Sequence, residues 1–312
     1  MSYMGERYSS SRALIVLVAI TVLLPRDAGW FAAYHDLDEV NAYVDGIVAR
    51  HPEVARVREL GRSVEGRPIR ALELTRGAPA TIVIDGGMHA REWISVMVAT
   101  CLADRLADDP LLAQVSFTIV PVVNPDGYAY TWTTDRRWRK TRRDGHGVDL
   151  NRNFPIGWGG ADSSHDPSSP QYRGAYPLSE PESRALAAAF AGTTRAHLDL
   201  HSFSQVIVYP WHHRREPTPD AERFAAAADA MAAALRATHG ETYRVRAGSE
   251  LRVGAGGTVT DWSYAEHGAL AFLLELRPAR GPDGFELPPE QIAPTCDETL
   301  AAVRALAAAI IR

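Results

Sequence analysis

Hydrophobic positions along the chain follow two periods in turn. Between His35 and His51 the apolar residues fall at Leu37, Val40, Tyr43, Val44 and Ile47, one face of a helix. Residues 54–60 and 69–74 read as two strands joined by a turn that carries Gly61 and Gly66. The β-branched run 81–85 reads as a central strand, 92–106 as a helix and 117–123 as another strand. Ser179 opens a further helix, and Glu182 three residues on completes a capping box with it. Strands follow at 197–200 and 206–209, then an Ala-rich helix at 220–238, a strand at 271–276 and a mostly helical segment at 289–311. Short apolar strands between helices predict an α/β fold. We expect a single compact domain with a mixed parallel/antiparallel twisted β-sheet of about eight strands and helices on both faces.

Residues 124–177 break this pattern. The stretch is rich in Gly, Pro, Asp, Ser and Arg, and it reads as a long functional loop. Near the N-terminus, Arg7 and Arg12 precede an unbroken apolar run at 13–24, too short to span a bilayer and of the length of a secretory signal core. No other run reaches spanning length. The expected division is therefore residues 1–33 as signal peptide or N-terminal hydrophobic segment and 34–312 as one domain, in a secreted or cell-envelope (periplasmic) protein.

Composition changes the picture in three ways. The 312 residues are 46% hydrophobic and 23% charged, which excludes intrinsic disorder. The net charge of −5 argues against a dedicated nucleic-acid binder. Only Cys101 and Cys296 are present, so there is no disulfide scaffold; two buried thiols are the expected state, with pairing as the alternative.

Five segments carry candidate chemistry. His89 and Glu92 follow a strand and open a helix, three residues apart, and an imidazole with a carboxylate suits Zn²⁺. His201, at a strand end, could add a third ligand; His197 faces the same side of that strand. Residues 136–143 hold Arg136, Arg137, Arg139, Lys140, Arg142 and Arg143, a solvated basic loop or a source of one arginine for a developing oxyanion. Asp149, Asn151 and Arg152 lie in the same loop region, where Arg152 can fork onto a carboxylate. Glu275 sits near the end of an apolar strand, costly without a partner and suited to general-base work beside a metal. His165, His212 and His213 lie in polar loops and are set aside as ligands.

In this order the motifs resemble the zinc metallocarboxypeptidases of the carboxypeptidase A type, peptidase family M14. The resemblance runs from about Tyr34 to the C-terminus through GRSVEGRPI, GGMHAREW, NPDGY, WRKTR, GVDLNRNF, YPLSEPES, HLDLHSFSQ, GGTVTDWSY and FLLELRP. It implies one Zn²⁺ per chain on His89, Glu92 and His201, with Glu275 as general base and Arg139 on the oxyanion. It implies that Asn151 and Arg152 bind the substrate's terminal carboxylate, that Arg91 and Arg136 line the substrate path, and that Asp149 orients the first zinc histidine. The implied activity is release of C-terminal residues from peptides and proteins by a monomer that neither spans a membrane nor binds nucleic acid.

The sequence departs from the family where a tyrosine is usual. Counting back from Asp261 lands on Val253 with Arg252 beside it, which predicts reduced or altered activity. Thr260 matches the specificity position and carries no charge, so neutral or hydrophobic C-terminal residues are expected and basic ones disfavoured; an inward Arg252 would favour an acidic end. Action on cell-wall peptides or unusual amides, and a non-catalytic peptide-binding module, remain the alternatives. No folded activation prodomain is expected ahead of the resemblance, and the bend usual past the base glutamate falls at Arg277–Pro278, where a cis bond is inexpensive.

Overall fold

The computed structural model describes residues 29–251, 254–281 and 284–311. In chain order the elements are α1 (Leu37–Arg50), β1 (Ala55–Arg62), β2 (Pro68–Leu74), β3 (Thr81–Asp85), α2 (Trp93–Ala107), β4 (Ser116–Val120), α3 (Pro125–Thr133) and α4 (Pro181–Ala187). They continue with β5 (Thr194–Ser202), β6 (Val206–Tyr209), α5 (Ala221–His239), β7 (Arg244–Ala247), α6 (Gly248–Leu251), α7 (Val259–His267), β8 (Leu270–Leu276) and α8 (Ile292–Ile311). The expected fold class holds: one eight-stranded mixed sheet, ordered β1-β2-β4-β3-β5-β8-β6-β7, with β4, β3, β5 and β8 parallel and the β1–β2 hairpin antiparallel.

The period-2 alternation of strand side chains divides the core in two and decides where polar chemistry goes. On one face, Ile82 and Ile84 of β3, Leu198 and Leu200 of β5, and Phe272 and Leu274 of β8 pack under α2, α5 and α8. On the other, Val83 packs with Leu150, Phe154, Leu186, Val259 and Trp262. His197, Asp199 and His201 alternate with the apolar residues of β5 and so share this second face. Leu273 and Glu275 do the same on β8, in register with Asp199 and His201.

Several expectations are corrected. Cys101 on α2 and Cys296 on α8 form a disulfide rather than two thiols; neighbouring helices on one face bring together side chains that are far apart in sequence. The capping box at Ser179 does not form: Glu180 is the N-cap of α4, and Ser179 Oγ donates to Glu180 Oε1. Helix α3 lies inside the stretch read as loop, with the Asn124 side chain accepting from Gly127 N at 2.9 Å and Pro125 in its first turn. Strand β7 and helix α7 were also not foreseen; β7 reads Arg-Val-Arg-Ala at a sheet edge and α7 starts on a polar Thr-Asp pair. The folded body reaches back to Trp30 and Phe31, since Phe31 is buried against α1. The apolar run 13–24 lies outside the described residues. Among the described residues no helix is long and apolar enough to cross a membrane. The Arg277–Pro278 peptide is cis.

Glu182 has a different role from the one expected. It is fully buried, Oε1 accepts from Val64 N at 3.1 Å, and Oε2 has no partner among the described residues. Burial pushes its carboxyl up to about 7. A carboxyl raised on folding destabilises the fold as pH climbs from its unfolded value to its folded one. The Glu182→Gln variant should therefore gain on the parent between pH 5 and pH 8, by at most about 3 kcal/mol. Parallel melting-temperature profiles for the two proteins would show that Glu182 is not the titrating group.

Candidate active site

The site lies beyond the C-terminal ends of the parallel strands β3, β5 and β8, where open α/β sheets place ligands. After β3 the chain turns through Gly86 and Gly87. Gly87 has φ +62°, and a Cβ there would come within 2.8 Å of Val96 Cγ2, so only glycine lets the loop lie against α2. His89 and Glu92 are not on a helical turn as expected. They close a reverse turn, Glu92 N donating to His89 O at 3.1 Å, and Glu92 is the N-cap residue of α2.

The His89, Glu92 and His201 ligand atoms all lie within 4.8 Å of one another, and the three residues are buried. His89 Nδ1 is 2.9 Å from Glu92 Oε1, and His201 Nδ1 is 2.9 Å from Glu92 Oε2. Behind the rings, His89 Nε2 is 3.1 Å from Asp149 Oδ1 and His201 Nε2 is 2.9 Å from Asp199 Oδ1. With Nε2–H turned to those carboxylates, both Nδ1 lone pairs face Glu92, the tautomer that metal-ligating histidines need.

Charge favours a cation at this point. Burial opposes the charged ring of His201, but Asp199 and Glu92 outweigh it and push the imidazole well above its usual range. Burial likewise opposes ionised Glu92 and Asp149, yet His89 and His201 hold Glu92 low and Arg139 with His89 holds Asp149 well below the ordinary carboxylate range. Three carboxylates around two imidazoles thus draw positive charge inward. Two imidazole nitrogens and one carboxylate with an open fourth position are the donor set of catalytic zinc, and the residues fit that ion.

The other predicted residues are distributed as follows. Glu275 lines the same cleft, its Oε2 buried without a partner among the described residues. Burial, with the Glu92 charge adding to it, pushes the Glu275 carboxyl up to about 8. Arg139 donates from Nη2 to Asp149 Oδ2 at 2.8 Å and lies 3.8 Å from Glu92 Oε1, so Asp149 braces His89 and Arg139 together. Asn151 and Arg152 also line the cleft. The Asn151 side chain is tied into the wall, Oδ1 accepting from Val259 N at 3.0 Å and Nδ2 donating to Asp199 Oδ2 at 3.3 Å. Arg152 donates from Nε to Asp162 O, from Nη1 to Asn151 O and from Nη2 to Asp162 Oδ2, at 2.8, 2.7 and 2.8 Å.

Arg91, Arg136 and Thr260 do not line the cleft. Arg91 lies over the Phe285 ring at 4.1 Å, and Arg136 lies over Trp93 at 3.7 Å while donating to the Arg91 and Phe285 carbonyls. Thr260 is fully buried behind His212, its hydroxyl 3.4 Å from His212 Nδ1. His197 is also apart from the site, held between Asp85 and Ser263 at 2.6 and 2.9 Å. Arg252 and Val253, the positions opposite the family's tyrosine, lie outside the described residues.

The basic run 136–143 is mostly engaged with the rest of the protein, while Arg137 pairs with Glu286 at the surface. Lys140 Nζ donates to the Pro167 and Ser169 carbonyls at 2.7 and 2.8 Å, Arg143 Nε reaches Glu180 at 2.9 Å, and Arg142 stacks on Tyr130 at 3.7 Å. Asp162, Asp199, Phe203, Arg244 and Phe285 were not singled out from sequence, and His212 was considered only as a metal ligand and set aside. Asp199 alone carried a signal, since a residue two before His201 shares its strand face.

The chain is similar to known proteins in sequence and in fold. The zinc carboxypeptidase family profile matches residues 40–302. Carboxypeptidase B of Astacus astacus is 37% identical over 294 residues, covering 89% of this chain and 97% of that protein. Carboxypeptidase A1 of Rattus norvegicus is 36% identical over 294 residues, covering 88% of this chain and 70% of that one. Among solved structures, bovine thrombin-activatable fibrinolysis inhibitor in complex with tick carboxypeptidase inhibitor matches with a TM-score of 0.85 at 34% identity, over 90% of this chain and 99% of that one. Carboxypeptidase A from Helicoverpa armigera matches with a TM-score of 0.81 at 30% identity, over 89% and 75%. With a buried His–Glu–His donor set at the head of this sheet, the chain belongs to the zinc carboxypeptidase family, the M14 metallopeptidases.

Proposed function

We propose that the protein is an exopeptidase that removes the last residue of a peptide, with His89, Glu92 and His201 holding Zn²⁺. When bound, the ion polarises a carbonyl and lowers the pKa of a water toward neutrality. The remaining work falls to this chain's side chains. Glu275, buried and raised, accepts a proton and returns it to the departing amine. Arg139, braced by Asp149, presents donors to the oxygen that gains charge. Arg152 has five N–H donors, of which three are engaged; the two left suffice for one bidentate carboxylate. Asp162 holds the fork, and Arg91 and Arg136 shape the entrance through Phe285 and Trp93.

The observation that carries this reading is the meeting of Glu275, Arg139 and Arg152 with the three ligand residues in one cleft of about 510 Å³. Val206, Val208, Leu273 and Ala255 line the same cleft; of the carboxylates there, Glu92 is engaged by His89 and His201, Asp162 by Arg152, and Glu275 is the proposed base. Apolar walls support acceptance of neutral C-terminal residues, and beyond the ligand, base and Arg152-bound carboxylates no further acidic side chain lines the cleft among the described residues to receive a basic one.

Export is part of the proposal. The buried Cys101–Cys296 disulfide belongs in an oxidising compartment, which agrees with the apolar run at 13–24. A monomeric state is supported by the scatter of large exposed apolar side chains, Tyr176, Leu251 and Ile311, among the described residues.

N-blocked peptides and their C-terminal amides test the reading directly. The acids should lose one residue in a reaction that a zinc chelator stops and added Zn²⁺ restores, and the amides should stay intact. Cleavage of the amides at a comparable rate would remove Arg152 from its proposed role.

A further inference from the structure

Across four adjacent strands of the sheet, His201 of β5, Glu275 of β8, Val206 of β6 and Arg244 of β7 stand in one register row. Residues paired across strands point to the same face, so Arg244 stands on the face that bears the metal ligands and the base. Strands lie about 4.8 Å apart, which puts the Arg244 backbone about 10 Å from that of Glu275, with the Val206 side chain between them. Arg244, Val206 and Glu275 all line the cleft. A residue bound with its scissile bond at Glu275 and its carboxylate on Arg152 can send its side chain over Val206 toward Arg244.

The charges of the cleft leave Arg244 in a distinct position. Arg139 is held by Asp149, and Arg152 is held by Asp162. The Arg244 guanidinium has no hydrogen bond or ion pair among the described residues. It is exposed, so holding it in place against a ligand does not require breaking an existing contact.

A second group faces the same volume. His212 is 7% exposed and lines the cleft, and its Nε2 has no partner among the described residues. Its other nitrogen is committed: Nδ1 lies 3.0 Å from Asp261 Oδ1, and Asp261 also takes the backbone N–H groups of His212 and His213 and the His213 ring at 2.7 Å. Burial opposes the Asp261 charge, but His212 and these hydrogen bonds hold its carboxyl far below the usual range. An ionised carboxylate only accepts, so Nδ1 donates to it and Nε2 is left to a ligand. The ring has its place because residue 248 is glycine; a Cβ there would come within 2.6 Å of His212 Cδ2.

We propose that this pocket selects a C-terminal residue with a carboxylate side chain, glutamate or aspartate, and that Arg244 and His212 are its specificity-determining residues. The proposal rests on the carboxypeptidase reading of the same site and replaces its neutral preference with an acidic one. The guanidinium supplies the charge and a fork that matches a carboxylate, His212 Nε2 offers a polar contact beside it, and Val206, Val208 and Leu273 line the space for the methylenes.

The test compares kcat/KM for N-blocked dipeptides ending in Glu, its uncharged isostere Gln, Phe and Lys. Glu is expected to exceed Gln by about tenfold, the size of one desolvated charge contact. In Arg244→Gln the Glu-to-Gln ratio should fall to near one, in Arg244→Lys it should be kept in part, and in Arg244→Glu the order of Glu and Lys should reverse. His212→Asn should lower the same ratio. Zinc-dependent release that favours Phe or Gln over Glu, or a ratio unmoved by Arg244→Gln, overturns this inference and leaves the carboxypeptidase reading standing. No release from any of the four peptides by zinc-loaded protein overturns both.

Discussion

Replacing Glu275 by glutamine is expected to lower kcat by about 10²–10⁴-fold while zinc stays bound, the range over which a positioned proton-transfer group acts. The substitution keeps shape and volume and removes only the proton acceptor. Glu275 is on β8, in register with His201 but outside the His–Glu–His set, so metal content should not follow activity. Burial, with the Glu92 charge, raises its carboxyl to about 8 without a metal, and a dication beside it favours the ionised form and lowers that value. A base must be ionised to work. The acid limb of kcat/KM should therefore lie below pH 8 and fall as pH drops, and the residual rate of Glu275→Gln should lack that limb. A variant that keeps zinc, turnover and the limb together would show that another group takes the proton.

Loss of the Cys101–Cys296 disulfide is expected to cost about 2–5 kcal/mol, a fall of roughly 5–15 °C in melting temperature. The bond closes a loop of 195 residues, so the unfolded chain gains much freedom when it is cut. It joins α2 to α8, and α2 is the helix whose N-cap is the candidate metal ligand Glu92. Both sulfurs are buried, so the Cys101→Ser/Cys296→Ser double variant also leaves two hydroxyls in an apolar layer; Cys101→Ala/Cys296→Val keeps the layer apolar and separates the two effects. Calorimetry of both variants reads the difference. A melting temperature within 1–2 °C of the parent in the Ala/Val variant would show that the loop constraint contributes little, against the chain-entropy account.

The specificity inference and the buried Glu182 share a physical origin with these two cases. Each concerns a polar group that the fold removes from water and leaves short of partners: Glu275 for proton transfer, His212 Nε2 toward a ligand, Glu182 at a cost that grows with pH. In the first two the unmet hydrogen-bonding capacity faces the cleft. In the third it faces the interior beside α4.

Much of this protein was legible along the chain. Period-2 and period-3.6 patterns are local, and they placed the helices at α1, α2, α5 and α8 and the strands from β1 to β6 and β8 to within a few residues. His89, Glu92, His201 and Glu275 stood out for a related reason: a strand end and a short ordered motif carry their own signal. What failed was what neighbours decide. Ser179 and Glu182 have the spelling of a capping box, but Glu180 and Val64 compete for their atoms. Strand β7 has no apolar pattern, because an edge strand is defined by what it pairs with. Arg91, Arg136 and Thr260 match substrate-facing positions by motif; where their side chains rest, against Phe285, Trp93 and His212, is set by residues distant in sequence. Motif and periodicity determined the fold class and pointed to the candidate donor set and to Glu275. The pairing of Cys101 with Cys296, the bracing of Arg152 by Asp162 and the row that carries Arg244 to the cleft were decided only by tertiary structure, because each depends on two segments far apart in sequence meeting on one face of the sheet.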